Sequence, residues 1–190
     1  MTRSRGLGDV YKRQTYYYES FSEESKENKF FGIATFSKYP IVNRYNKQFK
    51  NDNSNQFIYT DIKKDQDTIR VYNAHLGSIR FNHTDYKVIG GKGSPIWPHQ
   101  KSPKRAIFSK IKIGFEKRTV QVKELIHNIE NSPYKTIICA DMNDTPTSYC
   151  YNAFDRNFID AFTVSGKGFG GTYIGLSLIH ISEPTRPGHI

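Results

Sequence analysis

The chain has 190 residues, 36% of them hydrophobic, and a formal charge of +10 at pH 7 from 28 Lys and Arg against 18 Asp and Glu. That length suits one domain able to bury roughly two thirds of its unfolded surface, and no apolar run approaches the ~18 residues of a helical membrane span. The positive charge points to an anionic partner class, namely nucleic acid, phosphorylated small molecules or a membrane surface.

At the front, MTRSRGLGDVYKRQ (residues 1–14) has neither helical nor alternating periodicity, and LSLIHISEPTRPGHI (176–190) has none at the back. GLGDVYKRQ and SLIHISEPTRP resemble translated sequencing-adaptor strings left at the ends of untrimmed reads. Both ends are therefore expected to be non-native, leaving residues 15–175 as the domain proper. Arg3, Arg5, Lys12 and Arg13 against Asp9 contribute +3 at the front, and Glu183 with Arg186 nothing at the back, so the centre keeps +7. No secretory leader is legible, because the N-terminus lacks an apolar core region.

Glu19, Glu23, Glu24 and Glu27 read as part of a polar linker. FFGIATF (30–36) is apolar and aromatic enough for a mostly buried strand, closed by a turn at Ser37-Lys38-Tyr39-Pro40. Asn43 to Asn55 is polar and Asn-rich, which predicts a loop. Gln56–Lys63 and Thr68–Leu76 predict a β-hairpin around Lys64-Asp65-Gln66-Asp67, with Ile69, Val71, Asn73 and His75 on one face of the second arm. Residues 77–103, including GGKGSPIWPHQKSP, have no period and predict a long loop with a helical start. From 104 to 130 the spacing of Ile107, Ile111, Phe115, Val122, Ile126 and Ile129 predicts a helix, with Gly114 as a candidate interruption. After Pro133, Thr136–Ala140 predicts a strand without alternation, hence covered on both faces. Cys139 and Cys150 have no metal or redox spacing, and both read as packed thiols. A strand, a long helix and a second buried strand make an α/β layered architecture.

Chemistry concentrates at two strand ends. In KTIICADMNDTPTSY (135–149), Asp141 and Asn143 follow the buried strand two residues apart, at the position where open α/β sheets often place ligands. A carboxylate there can ligate a hard cation or accept a proton from water, and a neutral amide can donate to a phosphate oxygen. The same spacing also suits an Asx-rich turn that bonds local backbone. His75 ends its strand in the same way, in VYNAHL, and reads either as a satisfied structural histidine or, opposite Asp141, as a group that binds a scissile phosphate or orients a carboxylate. His83 and His99 fall in the long loop, and His127 fits a solvated helix face. Arg80 and Lys92 suit either substrate phosphates or plain surface roles.

Together these motifs resemble the endonuclease/exonuclease/phosphatase family. NAHL (73–76) is similar to the family's N-x-H-L strand end, and ADMNDTP (140–146) to its G-D-F-N strand end, with Ala140 and Met142 departing from Gly and Phe. GIATFSKYPIV (32–42) is similar to its Gly-hydrophobic-Ser-Lys-x-Pro-Ile strand, Arg118 and Gln121 fit its helix pattern, and SGKGFGGTY (165–173) its late loop. The resemblance covers about residues 16–175. It implies an incomplete four-layer α/β/β/α sandwich and hydrolysis of phosphate mono- or diesters with Mg²⁺ or Mn²⁺. It assigns Asp141 to the attacking water and the metal, Asn143 to the phosphate or metal, and His75 to the phosphate, with Asn73 shaping the pocket. Arg80 enters beside them as a candidate for substrate phosphates.

The resemblance also shows departures. Gln14-Thr15 stands where the family has Gln-Glu, so Thr occupies the place of a metal-binding carboxylate, and the glutamates of the linker are poor substitutes. The Asp-bearing strand and the Ser-Asp-His expected after Gly171-Thr172-Tyr173 do not follow, and His180 and His189 lie in the adaptor-like string. This chain by itself is therefore expected to have little or no hydrolase activity, and its uncovered sheet edges to favour aggregation. The alternatives are a non-catalytic basic nucleic-acid-binding module and a pseudoenzyme. No feature calls for an obligate protein partner.

Overall fold

The computed structural model describes residues 14–22, 31–50, 52, 54–89 and 103–166. The adaptor-like strings (apart from Gln14), residues 90–102 with Lys92 and His99, the glutamates at 23, 24 and 27, and the late loop beyond Gly166 lie outside the described residues. The chain divides into two compact units, Met1–His75 with Leu125–Asp141, and Leu76–Glu124 with Met142–Ile190.

The first unit holds two sheets. Strands β1 (Tyr16–Ser22) and β2 (Phe31–Ser37) pair antiparallel, Tyr16 against Ser37. Strands β3 (Ile41–Gln48), β4 (Gln56–Lys64), β5 (Asp67–His75) and β6 (Lys135–Asp141) form a second sheet in that order. The pairs β3–β4 and β4–β5 are antiparallel, and β5–β6 is parallel. The small sheet lies against the large one, β1 beside β3 and β2 beside β4 and β5. Polar side chains stitch them together: Gln56 Nε2 donates to the Ser20 carbonyl at 2.9 Å, and Asn73 Nδ2 to the Ala34 carbonyl at 2.9 Å. The expected mixed α/β architecture is present, with sheet facing sheet as an incomplete sandwich requires.

The hairpin falls where the alternation placed it. Lys64 pairs with Asp67 across a two-residue loop, and Asp65 takes φ 56, a left-handed conformation that Asp tolerates better than most residues. One face of β5, with Arg70, Tyr72 and Ala74, is buried, while Val71, Asn73 and His75 on the other are half-buried. On the buried face Arg70 meets Asp61 through two hydrogen bonds, 2.6 and 2.9 Å, and its guanidinium lies 3.8 Å from the centre of the Tyr59 ring. That carboxylate raises the Arg70 pKa further above its already high range. Phe49, Phe57, Leu125 and Ile129 are buried as well, and Ile58, opposite Asn73, is buried on the other face of the sheet.

Three expectations need correction here. The polar stretch from Asn43 is strand β3 as far as Gln48. It reads as loop because it edges its sheet with nearly every side chain exposed, so no apolar face marks it. Glu19 lies on strand β1, opposite Ala34, and not in a linker. Strand β6 is not covered on both faces, since Ile137 is 50% exposed and Cys139 is exposed, so only Cys150 is a packed thiol. Among the described residues β6 has one neighbour, β5, and its apolar side chains rest on one face only.

The second unit contains α1 (His83–Ile89), the first six turns of the long helix α2 (Pro103–Glu130), α3 (Tyr149–Asp155) and α4 (Ala161–Ser165). Asn82 and Asp85 cap α1 reciprocally, each backbone N–H donating to the other's side chain, at 2.7 and 2.9 Å. Gly114 does not interrupt α2. A Cβ there would stand 2.7 Å from Ile79 Cγ1, so the missing side chain lets buried Ile79 close on the helix. Of the expected inward positions on α2, Phe115 is 43% exposed, and fully buried Arg118 takes the inward place one turn on.

Candidate active site

Parallel pairing of β5 with β6 sets the geometry. His75 and Asp141 are register partners at the C-terminal ends of their strands, so both side chains leave the same sheet face. His75 Nε2 lies 3.8 Å from Asp141 Oδ2, and the two side chains are 40% and 47% exposed. An imidazole and a carboxylate thus stand side by side, reachable from solvent, at the end of a parallel strand pair. The face behind them, along β6, is open at Ile137 and Cys139. Asn73 occupies the same face two residues before His75, with its amide N–H engaged by the Ala34 carbonyl of β2.

Behind His75 stands a residue the sequence did not single out. Asn55 is 2% exposed, and its Nδ2 is 3.1 Å from His75 Nδ1. It ends the polar stretch taken for a loop, just before Gln56 pairs with His75. The Phe49 N–H donates to the Asn55 carbonyl at 3.2 Å, and Asp52 Oδ1 accepts from Ser54 N at 3.2 Å and Ser54 Oγ at 2.9 Å. The turn is therefore built by its own polar groups.

The segments that leave these strand ends belong to the second unit. Asn143 takes φ 50 and donates from Nδ2 to the Leu76 carbonyl at 2.9 Å. It is buried, and its amide bridges backbone 67 residues away, a longer reach than an Asx turn makes. Asp144, 1% exposed, accepts from Arg118 Nε at 2.9 Å and from the Thr145 N–H at 2.9 Å. Arg118 Nη1 donates to the Gly77 carbonyl at 2.9 Å, and the Gly77 N–H donates to Gln121 Oε1 at 2.8 Å. One helix face thus grips both polar groups of Gly77 and the carboxylate of Asp144. Buried Cys150 lies beside this cluster, its thiol pushed up to about 12 by burial and by the Asp144 charge. Arg80 is exposed in the segment that follows Gly77, and His83 and His127 are exposed on their helices. Of the expected site residues, the structure brings Asp141 and His75 together. The role of Arg118 and Gln121 was visible only as a helix pattern, although Arg118 shares the seven-residue spacing of Ile111 and Leu125 on the buried stripe.

Among the described residues no group of three or more His, Cys, Asp and Glu side chains gathers as a metal cage. Asp141 offers a half-exposed carboxylate, which suits a hydrated hard cation better than a dehydrated one.

No protein-family model and no curated protein matches the chain. Solved structures do. The human Nocturnin catalytic domain, solved with a bound sulfate anion, shares 14% identity at a TM-score of 0.46, over 82% of this chain and 52% of that one. A variant of Staphylococcus aureus beta toxin, solved with bound magnesium ions, shares 19% at 0.46, over 80% and 51%. Sphingomyelinase C from Streptomyces griseocarneus shares 16% at 0.47, over 78% and 50%. All three proteins are members of the endonuclease/exonuclease/phosphatase superfamily. The chain spans about half the length of each.

Proposed function

We propose that this chain is part of a divalent-metal-dependent phosphoesterase that hydrolyses phosphate mono- or diesters, with His75 and Asp141 in its cleavage centre. The observation that carries the reading is the register pairing of these two residues, 3.8 Å apart at the solvent-reachable end of a parallel strand pair. Asp141 orients the attacking water and takes its proton, and it offers one oxygen ligand to Mg²⁺ or Mn²⁺. Mg²⁺ is commonly held by one or two carboxylates, its other positions filled by waters and substrate phosphate, so a single exposed Asp is a fitting donor. When bound, such an ion supplies charge stabilisation to the phosphoryl group. The imidazole of His75 donates a hydrogen bond to a phosphate oxygen. Asn143 and Asn73 enter through the sequence resemblance, the first toward phosphate or metal and the second toward the substrate pocket, and Arg80 enters by its charge, toward substrate phosphates.

The 190-residue chain on its own is proposed to hydrolyse poorly, because Thr15 stands where a metal-binding carboxylate is expected. The test has two arms. In the full reading frame that contains this segment, Asp141→Ala should lower Mg²⁺-dependent hydrolysis of bis-p-nitrophenyl phosphate by ~10² to 10⁴, and an unchanged rate would refute the function. The 190-residue chain should show no robust rate above its own Asp141→Ala variant, and a robust rate would refute its inactivity. The charge of +10 favours a second reading, a basic nucleic-acid-binding module. Steeply salt-dependent DNA binding that Asp141→Ala leaves unchanged, without hydrolysis in either arm, would select it.

A further inference from the structure

Away from Asp141 the His75 ring meets the buried amide of Asn55, and amide chemistry limits what that contact can be. A side-chain amide nitrogen carries hydrogens and no available lone pair, so it donates. With Asn55 Nδ2 3.1 Å from His75 Nδ1, that ring nitrogen presents its lone pair, and the one N–H of a neutral imidazole sits on Nε2. Nε2 is the nitrogen that faces Asp141 Oδ2.

We propose that Asn55 is a positioning residue for His75: its amide donates to Nδ1, fixing the ring's orientation and its Nε2–H tautomer, so that an N–H and not a lone pair is presented beside Asp141. Electrostatics supports this direction. The opposite tautomer would set the Nε2 lone pair against a carboxylate oxygen, acceptor facing acceptor. Rotating the Asn55 amide by half a turn would bring Oδ1 onto Nδ1 and demand that opposite tautomer. Ser54 Oγ does not settle the amide, because its single proton has two acceptors, Asn55 Oδ1 at 3.3 Å and Asp52 Oδ1 at 2.9 Å. The burial of Asn55 and the turn behind it explain how the amide is held in place. For catalysis the consequence rests on the phosphoesterase reading, in which Nε2–H is the group offered to a phosphate oxygen. The tautomer itself does not.

The experiment is long-range ¹H–¹⁵N correlation on the ¹⁵N-labelled 190-residue chain at about pH 9, above the ordinary imidazole range. His75 Nδ1 should resonate as a lone-pair nitrogen and Nε2 as N–H, with a trans-hydrogen-bond ¹⁵N–¹⁵N coupling between Asn55 Nδ2 and His75 Nδ1. Asn55→Asp, whose carboxylate only accepts, should exchange the two ring assignments. A wild-type Nδ1–H, absence of the coupling, or an Asn55→Asp spectrum with the tautomer unchanged would each overturn the proposal. If Asn55→Asp does not fold, the wild-type coupling decides alone. No hydrolysis is read, so failure of the phosphoesterase reading and failure of this one are separately visible.

Discussion

Replacing Arg118 by Met should destabilise the protein more than any surface change. Arg118 is 0% exposed and Asp144 1%, and the guanidinium also holds the Gly77 carbonyl. Met keeps much of the side-chain volume but removes both donors. Asp144 is then left buried with the Thr145 N–H as its remaining hydrogen bond of those described above. Breaking one side of a buried ion pair costs about 3–5 kcal/mol, against a total stability of about 5–15 kcal/mol for a domain. Asp144→Asn should cost a similar amount, by leaving a buried cation without its counter-charge. The double variant buries no lone charge, so it should cost less than the sum of the singles, with about 2–3 kcal/mol of coupling. Urea unfolding followed by circular dichroism gives each value from midpoint and slope. The Gly77 amide, held by Gln121, should in addition exchange faster in Arg118→Met. A loss under about 1 kcal/mol for Arg118→Met, or strictly additive variants, would refute the account of this cluster as one linked unit.

Two further outcomes follow from titratable groups. The Lys110 ammonium, and then the Asn82 N–H, hold the Asp85 carboxyl below the usual carboxylate range. A depressed folded pKa contributes stability that is fully present above the unfolded value, about 3.9, and is lost as pH falls through the folded value. The difference in urea midpoint between wild type and Asp85→Asn should therefore be largest near neutrality and shrink below about pH 4, and a difference independent of pH would refute the linkage. Of the two cysteines, exposed Cys139 should react with Ellman's reagent at pH 8 in the folded protein. Buried Cys150, whose thiol is pushed up to about 12, should react only after unfolding. Two rapid thiols in the folded protein would contradict the burial.

What the sequence shows of the fold depends on where each segment's apolar residues point. Strand β5 buries one face and flanks a turn that tolerates Asp65 at positive φ, so alternation and turn chemistry agree there, while its partner β4 is buried on both faces along Gln56–Asp61. The long helix carries a period of three and four over 28 residues. Strand β3 has no such signal, because nearly every side chain is exposed and those that find partners do so through amides and a ring, Asn43 on Asp61, Asn46 on Ser20 and Tyr45 on Tyr59. A polar strand at a sheet edge and a polar loop have the same composition, and only the partner strand tells them apart. Strand β6 shows the converse. Its run of apolar residues suggests cover on both faces, yet Ile137 is half exposed.

The site divides along the same line. His75 and Asp141 were legible because each is a polar residue ending an apolar strand, and parallel register then brings two such ends level. Asn55 was not, since an amide inside an Asn-rich stretch differs from its neighbours only in which ring it meets after folding. Arg118 lies between these cases. A charged residue on the apolar stripe of a helix, seven residues from Leu125 and from Ile111, has to find a buried counter-charge or unfold the turn around it. That much can be read from spacing alone. That the counter-charge is Asp144, three residues past Asp141, depends on a chain reversal that no local pattern encodes. The same helix turn grips Gly77, two residues past His75, so the backbone following each half of the candidate pair is anchored to one guanidinium.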